Sequence, residues 1–345
     1  MSGGSLYKSL VREVLFCFEP ERVHHVAIAA LSGFAYLPIH ARNDPKVSRE
    51  VFGIRFPNPV GLAAGFDKNA AVLPAWEKLG FGFAEAGTIT AKGQPGNPKP
   101  RVFRLPAQEA IINRMGFNNI GAEAVAVRLA RLKASGRWPC FPVGLNIGKN
   151  KVTPIEDAAG DYVFSFEKLF PFADYFVLNV SSPNTPGLRA LQEAGALSDL
   201  LAAVQKRNRE LSPTQRLRPV LLKIAPDLEF GAIEEIIGLA YQHGLAGLVA
   251  TNTTLDHSSI PEGSRHEGGL SGRPLRARST EIVRFITTKA SSMPVVAAGG
   301  IYNADSAMEK FDAGASLVQI YTGFIYEGPA LIRQICAALE KRSAR

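Results

Sequence analysis

From about residue 59 onward, short apolar runs alternate with stretches whose apolar residues recur at helical spacing. Ile233, Ile236, Ile237 and Ala240 show that spacing. Parallel strands covered by helices produce this alternation. Eight apolar runs are present, at residues 59–65, 81–90, 141–148, 175–181, 219–226, 247–252, 294–300 and 316–323. Eight strand-helix units predict an α/β protein with a (β/α)8 fold, the TIM barrel.

An open, doubly wound sheet is the competing architecture. Its phosphate-binding fingerprint, GxGxxG, should follow the first strand. No such motif follows residues 59–65. The barrel is therefore the favoured prediction, and reactive groups are expected where its strands end and its loops begin.

The first 45 residues stand outside the alternation and predict a helical hairpin. One helix is indicated by Leu6, Leu10, Val14 and Phe18, and a second restarts at Pro20 and runs to about residue 34. We therefore divide the chain into a hairpin, residues 1–45, and a catalytic barrel, residues 46–345. Basic and acidic residues cancel in the hairpin, so it either plugs one end of the barrel or contacts a membrane through an apolar face.

Composition narrows the possible partners. The chain has 39 Lys and Arg against 31 Asp and Glu, a net charge of +8, but no run of five basic residues and no CxxC zinc pair. We therefore expect no nucleic-acid partner. Cys17, Cys140 and Cys336 are too few and too far apart for a disulfide framework or a metal cluster, which favours a reducing compartment and no metal. No apolar run is long enough to span a bilayer.

Two lysines follow or interrupt predicted strands. Lys68 directly follows the first apolar run, and Lys223 lies inside the fifth. A lysine in an apolar strand must face the mouth of the barrel and requires an anionic partner. An anionic ligand is one interpretation. A salt bridge is the other, although the strand ends supply few carboxylates, chiefly Asp67 and Asp227.

Amide side chains are unusually frequent near the predicted strand ends. These are Asn113, Asn146, Asn179, Asn184 and Asn252. An amide offers both a donor and an acceptor to a planar polar ligand. The set favours a heterocycle with imide or amide edges, such as a flavin or a pyrimidine.

A polar loop, residues 179–187, follows the fourth apolar run. It combines hydroxyls, including that of Ser182, with amides and with two prolines that stiffen it. No GxSxG elbow or adjacent histidine accompanies this serine, which argues against a hydrolase triad. Ser182 either acts as a general base assisted by neighbours such as Thr185, or its hydroxyl merely stabilises a turn.

Glycines after the last two runs predict a phosphate site. They lie in Ala298-Gly299-Gly300 and Tyr321-Thr322-Gly323. Loops seven and eight of such barrels commonly hold a phosphate through bare backbone N–H groups. Residues 144–150 are similar to a P-loop but have one residue too few and an asparagine in place of Ser/Thr, so they are discarded.

Taken together, these motifs resemble the quinone-dependent, class 2 dihydroorotate dehydrogenases. The resemblance runs nearly end to end and is carried by residues 61–68, 87–90, 100–104, 112–118, 179–189 and 269–274 and by the two C-terminal glycine motifs. No single motif would be specific. Such an enzyme oxidises dihydroorotate to orotate with FMN as cofactor and passes the electrons to a membrane quinone.

The resemblance implies residue roles. FMN would be held by Ala63, Ala64, Gly65, Phe66, Asp67, Thr88, Asn146, Asn179, Lys223, Thr251, Gly272, Gly300, Tyr321 and Thr322. The substrate would be held by Lys68, Asn113, Arg114, Met115, Gly116, Phe117, Asn179, Asn184, Asn252 and Thr253. Ser182, Thr185, Phe117 and Lys223 would form the catalytic group, in which Ser182 takes the C5 proton and Lys223 stabilises the reduced flavin.

Two differences from the soluble class 1 enzymes favour class 2. Those enzymes use cysteine as the base and lack the N-terminal hairpin, whereas this chain has Ser182 and the hairpin. The resemblance implies that the hairpin admits a quinone tail, with His24, Arg104 and Tyr321 near the head group. We expect a peripheral protein on the cytoplasmic face of a bacterial inner membrane or, alternatively, on the mitochondrial inner membrane.

Two other functions remain open at this point. A non-flavin barrel lyase or isomerase would also bind phosphate at loops seven and eight, but would want a carboxylate acid-base pair. A flavin absorbance spectrum would exclude it. An inactive membrane-bound binding protein would be excluded by turnover of dihydroorotate with a quinone.

Overall fold

The computed structural model describes residues 7–39, 45–212 and 216–343. Eight parallel strands form a closed barrel in which neighbours in the chain pair with one another and the eighth pairs with the first. They are β1 Val60–Leu62, β2 Phe83–Thr90, β3 Val143–Gly148, β4 Tyr175–Asn179, β5 Val220–Ile224, β6 Gly247–Ala250, β7 Val295–Ala298 and β8 Leu317–Ile320. Each strand lies within its predicted apolar run, which confirms the predicted fold.

Helices cover the outside of the barrel. They are Leu73–Lys78, Ala122–Ala134, Ala158–Leu169, Ala194–Leu211, Phe230–Gln242, Arg276–Lys289, Ala304–Asp312, Thr322–Glu327 and Ala330–Ser343. Ile233, Ile236, Ile237 and Ala240 are all buried on the inner face of Phe230–Gln242. Each buried isoleucine contributes roughly 1.5–3 kcal/mol, so this apolar stripe fixes which face of the helix meets the strands.

A β-hairpin closes the N-terminal end of the barrel. Its strands, Arg49–Val51 and Ile54–Phe56, pair antiparallel. Phe56 is fully buried against Phe83 and Tyr175, which begin β2 and β4. The aromatic cluster fills the barrel interior at this end, so the chemistry is confined to the opposite end.

Two small antiparallel sheets cover the C-terminal end of the barrel. One has three strands, with Ala110–Asn113 between Val102–Leu105 and Gly269–Gly272. The other pairs Lys92–Gln94 with Asn119–Gly121. These strands lie in the loops after β2 and β6, and the first sheet carries Asn113 to the mouth of the barrel.

The N-terminal helices form the predicted hairpin. A turn at Tyr7–Val11 leads into α1, Arg12–Phe16, and α2 spans Pro20–Phe34. The Glu19 carboxylate caps α2 by accepting from the N–H groups of Glu21 and Arg22, and Pro20 occupies the first helical turn. Leu6 and residues 40–44 lie outside the described residues, and the division at residues 45 and 46 stays a prediction.

The hairpin docks at the C-terminal end of the barrel, beside the loops after β1, β2 and β8. The Tyr7 hydroxyl donates to the Ile325 carbonyl at 2.7 Å, and the buried Glu21 carboxylate pairs with Arg101 at 2.6 Å. The hairpin therefore does not plug the N-terminal end, which the β-hairpin closes. Within the described ranges, no helix is both long and apolar enough to cross a membrane.

Candidate active site

A deep pocket opens at the carboxyl ends of the barrel strands and encloses about 1160 Å³ of empty space, including its mouth. Most of the predicted site residues line it. They are Ala63, Ala64, Gly65, Lys68, Thr88, Asn113, Met115, Gly116, Phe117, Asn179, Ser182, Asn184, Lys223, Thr251, Asn252, Thr253, Gly272, Gly300, Tyr321 and Thr322.

The other predicted residues do not line this pocket. They are His24, Phe66, Asp67, Arg104, Arg114, Asn146 and Thr185. The Asp67 carboxylate accepts from the backbone N–H groups of Ala71 and Val72 and from the Trp76 indole. Its side chain therefore stabilises the loop after β1. Arg114 pairs with Glu267 at 2.8 Å on the outside of the mouth.

A buried carboxylate organises the floor of the pocket. Glu85, in β2, is fully buried and accepts from the side-chain amides of Asn146 at 2.7 Å and Gln319 at 2.5 Å. An ionised carboxylate only accepts hydrogen bonds, so both amides must turn their NH₂ groups towards it. The Asn146 carbonyl then faces the other way and accepts from the hydroxyl of Thr88 and the amide of Asn179.

Glu85 is the main functional candidate that the sequence reasoning missed. Glu85 lies inside an apolar run and not at a strand end, where the carboxylate partners of the lysines were expected. Glu85, like Lys223, is a charged residue inside a barrel strand, and a buried charge requires polar partners. Residues missed at the pocket lining are Glu109, Ser271, Arg273, Leu275, Ile301, Tyr302, Gln319, Ile320 and Tyr326.

Neither predicted lysine forms an ion pair within the described residues. The carboxylate of Asp67 is occupied by N–H donors, and Asp227 pairs with Arg189 at 2.7 Å. Lys223 is buried, and burial lowers its pKa, which Glu85 opposes. Burial lowers the pKa of Lys68 to about 8, although its ammonium donates to the Gly65 carbonyl at 2.7 Å. Both ammonium groups line the pocket, which favours an anionic ligand over a salt bridge.

The serine loop is held rigidly over the pocket. Arg189 donates to the carbonyls of Ser181 and Thr253 and pairs with Asp227, and it thereby joins the loops after β4, β5 and β6. The Ser182 hydroxyl lines the pocket and also accepts from the N–H of Asn184 at 3.3 Å. That contact is the turn predicted as the alternative role, so turn and base are compatible.

The assistance predicted from Thr185 is not seen as a direct contact. The Thr185 hydroxyl is buried and has no hydrogen-bond partner among the described residues. A buried hydroxyl without a partner is uncommon, because the unmade hydrogen bond costs about 1–3 kcal/mol. The role of Thr185 stays a prediction.

Amide side chains converge on one side of the pocket. The Asn184 amide donates to the Asn113 carbonyl oxygen at 3.3 Å, and the Asn252 amide donates to the Ser181 hydroxyl at 3.0 Å and to Asn179 at 3.3 Å. These long contacts leave hydrogen-bonding capacity for a ligand with amide or imide edges. Ser182 and Lys68 line the same pocket.

The glycine motifs line the other side. Gly299 and Gly300 follow β7 with φ of 106° and 70°, a backbone conformation that favours glycine. A Cβ at Gly300 would lie 2.2 Å from the Cα of Arg276, and one at Gly323 would lie 1.9 Å from the Ile301 carbonyl oxygen. The two loops therefore pack closely and expose bare backbone, the arrangement that suits a phosphate.

Aromatic rings connect the hairpin to the pocket. The His24 ring lies 5.2 Å from the Phe66 ring, which lies 5.4 Å from the Tyr321 ring at the pocket wall. Burial lowers the pKa of His24 to about 3, with Lys68 and His25 adding to the shift, so this imidazole is neutral near pH 7. Arg104 instead donates to the carbonyls that end α1, including Leu15 at 3.1 Å.

Comparison with known proteins identifies the family of the chain. A family model described as Dihydroorotate dehydrogenase matches residues 46–342. The chain belongs to the dihydroorotate dehydrogenase family. A dihydroorotate dehydrogenase (quinone) from Gloeobacter violaceus is 50% identical over 348 residues, which cover 99% of this chain and 95% of the relative. One from Christiangramia forsetii is 50% identical and covers 96% and 97%.

Solved structures of the dihydroorotate dehydrogenase family share the fold. The ligand-free DHODH from Eimeria tenella superposes with a TM-score of 0.86 at 41% identity, covering 93% of this chain and 94% of that one. The same enzyme in complex with ferulenol gives 0.85 at 40% identity, covering 93% and 90%. The family resemblance identified from the sequence motifs is confirmed.

Proposed function

We propose that the chain is a quinone-dependent dihydroorotate dehydrogenase that oxidises (S)-dihydroorotate to orotate in de novo pyrimidine synthesis. FMN is the hydride acceptor and a membrane quinone is the final electron acceptor. The observation that carries the proposal is one pocket lined by Ser182, by Lys68 and Lys223, by several side-chain amides and by the glycine loops. Neither lysine forms an ion pair in the part of the chain that the structure describes. The printed names of relatives about 50% identical over nearly the whole chain support the same reaction.

The pocket residues fit FMN. The bare backbone at Gly299, Gly300 and Gly323 suits its phosphate. The side-chain amides of Asn146 and Asn179, together with the buried ammonium of Lys223, suit a ring with imide edges. Bound FMN would supply the two-electron chemistry by accepting the hydride from C6 of the substrate. Lys223 would hold positive charge beside the ring, where negative charge develops during the reaction.

On the substrate side, Ser182 would take the C5 proton. Asn113, Asn184 and Asn252 would bind the amide edges of the pyrimidine ring, and Lys68 would bind its carboxylate. Arg189 holds the loop of residues 179–187 in place through its bonds to the Ser181 carbonyl and to Asp227. Little reorganisation is therefore needed when the substrate binds.

The hairpin supplies the route for the quinone. Leu10, Val14, Phe18 and Val26 leave 57%, 52%, 61% and 64% of their surface exposed, an apolar face suited to a membrane interface. His24 and Phe66 lie between that face and Tyr321. We propose a peripheral location on the cytoplasmic face of a bacterial inner membrane. The mitochondrial inner membrane is the alternative.

Purification followed by two measurements tests the function. The purified protein should carry a flavin absorbance spectrum and release FMN on denaturation. It should reduce a long-tailed quinone when dihydroorotate is added, with one orotate formed per quinone reduced. A colourless protein that binds no FMN, or a flavoprotein that does not oxidise dihydroorotate, would contradict the proposal.

The two lysines should have separable roles. We expect Lys68→Ala to weaken orotate binding while leaving FMN bound, and Lys223→Ala to weaken FMN retention or slow flavin reduction. A lost charge-assisted hydrogen bond corresponds to about 1.5–3 kcal/mol, roughly ten- to a hundredfold in affinity. Titrating each variant with orotate and with FMN separates the roles. Loss of FMN alone in both variants would show that the division is wrong.

Substrate binding should also depend on pH through Lys68. Its pKa in the free protein is about 8. The substrate carboxylate pairs with the protonated amine and raises this pKa in the complex. Affinity is therefore highest below about pH 8 and falls as the pH rises through that value. The dependence should be absent in Lys68→Ala.

A further inference from the structure

A buried lysine stands behind the glycine pair that follows β7. Lys310, in the helix Ala304–Asp312, is fully buried and forms no ion pair within the described residues. Its ammonium donates to the Arg276 carbonyl at 3.1 Å, the Ser279 hydroxyl at 2.5 Å and the Thr280 hydroxyl at 2.6 Å. A buried ammonium bonded only to neutral oxygens is costly unless an anion lies nearby.

A nearby anion would also stabilise this ammonium because of its position in the fold. All three of its acceptors lie within the first five residues of the helix Arg276–Lys289. That end of a helix carries partial positive charge, which favours anions and disfavours a cation. Burial lowers the pKa of Lys310 to about 7, Glu309 opposes the shift and Arg276 adds to it. The groups around Lys310 therefore stabilise its charged form only weakly.

Ser279 connects Lys310 to the pocket. Its hydroxyl accepts from Lys310 and has two carbonyl acceptors within reach, Gly299 at 2.9 Å and Arg276 at 3.2 Å, of which Gly299 is the nearer. In a trans peptide, the C=O of one residue and the N–H of the next point in opposite directions. Holding the Gly299 carbonyl against Ser279 therefore turns the Gly300 N–H away from the helix. Gly299 and Gly300 both line the pocket.

We propose that Lys310 is a positioning residue for a phosphate monoester at this end of the pocket. It acts through Ser279 to direct the Gly300 N–H towards the ligand, and its ammonium adds positive charge behind the loop. The inference rests on the proposed function, in which the ligand is FMN. It assigns phosphate recognition partly to a side chain that does not line the pocket.

Comparing FMN with riboflavin, which lacks the phosphate, tests this role. Full-length wild type and Lys310→Met are titrated with each flavin, and binding is followed by flavin fluorescence. We expect Lys310→Met to lose about tenfold or more of its FMN affinity, the scale of a charge-assisted contact, with riboflavin affinity unchanged. Ser279→Ala removes the relay with a smaller structural change and should shift the ratio in the same direction.

Lys149 provides the matched control. It is also a buried lysine, but its ammonium donates to the carbonyls of Asn150 and Thr153, away from the glycine loops. Lys149→Met should lower the melting temperature without changing the ratio of FMN to riboflavin affinity. The inference is overturned if the ratio of FMN to riboflavin affinity is unchanged in Lys310→Met. If Lys310→Met does not fold, an unchanged ratio in Ser279→Ala overturns it. An equal change of the ratio in Lys149→Met also overturns it. A wild type without preference for FMN would instead contradict the proposed cofactor.

Discussion

Ser182→Ala should bind FMN and orotate almost as wild type does but lose flavin reduction by about 10²- to 10⁴-fold, the usual contribution of a general base. Binding should survive because other hydrogen bonds keep the rest of the pocket in place, including that of Arg189 to the Ser181 carbonyl and that of Asn146 to Glu85. Pre-steady-state reduction by dihydroorotate measures the chemical step directly. Unchanged reduction would remove Ser182 from the mechanism.

Two further variants separate a base from a turn residue. Ser182→Cys should keep some activity with an altered pH dependence, because an ordinary thiol has a pKa near about 8.5 and ionises more readily than a hydroxyl. Ser181→Ala removes the neighbouring hydroxyl, which accepts from Asn252 at 3.0 Å. It should weaken orotate binding more than it slows reduction. Equal effects of Ser181→Ala and Ser182→Ala on reduction would indicate loop disruption.

The barrel and most of its site were predictable because both follow local rules. Apolar runs locate buried strands, and a polar residue just after such a run must lie at the mouth of the barrel. Lys68, Ser182 and Asn252 were found in this way and line one pocket.

The missed features depend on contacts between distant parts of the chain. The strand Gly269–Gly272 pairs with Ala110–Asn113, which lies about 160 residues earlier, so neither run shows a strong pattern by itself. The closure of the barrel by Phe56 was missed for the same reason, since a short hairpin carries little periodic signal. Glu85 was not predicted because it lies inside the apolar strand β2 and not at its end.

The N-terminal hairpin gives the second large effect. Deleting residues 1–44 should leave flavin reduction by dihydroorotate intact, because the proposed proton and hydride chemistry uses loops that begin at Ala63. The deletion must stop before Pro45, since the turn Pro45–Val47 buries Val47 against the barrel. Burying even two methylenes of a quinone tail contributes about 1.6 kcal/mol, so reoxidation by a long-tailed quinone should fall by at least about tenfold.

A small water-soluble acceptor provides the control for the deletion. It needs only an exposed flavin edge, so its rate should survive the loss of the hairpin. Binding to detergent micelles should fall together with long-tailed quinone turnover, since the deleted helices carry the exposed apolar face and no net charge. A truncated protein that still uses long-tailed quinone at the full rate would show that the hairpin has no part in quinone access.

The deletion exposes the apolar surface on which the hairpin docks, and this exposure can make the truncated protein aggregate. A second variant then tests the role of the hairpin in the full-length chain. In the full chain, Leu10, Val14, Phe18 and Val26 can be changed together to glutamine. These side chains are more than half exposed, so the hairpin should still dock through Tyr7 and the Glu21–Arg101 pair. Micelle binding and long-tailed quinone turnover should both fall while dihydroorotate-driven flavin reduction stays at the wild-type rate. Normal micelle binding in this variant would place the membrane contact elsewhere on the protein.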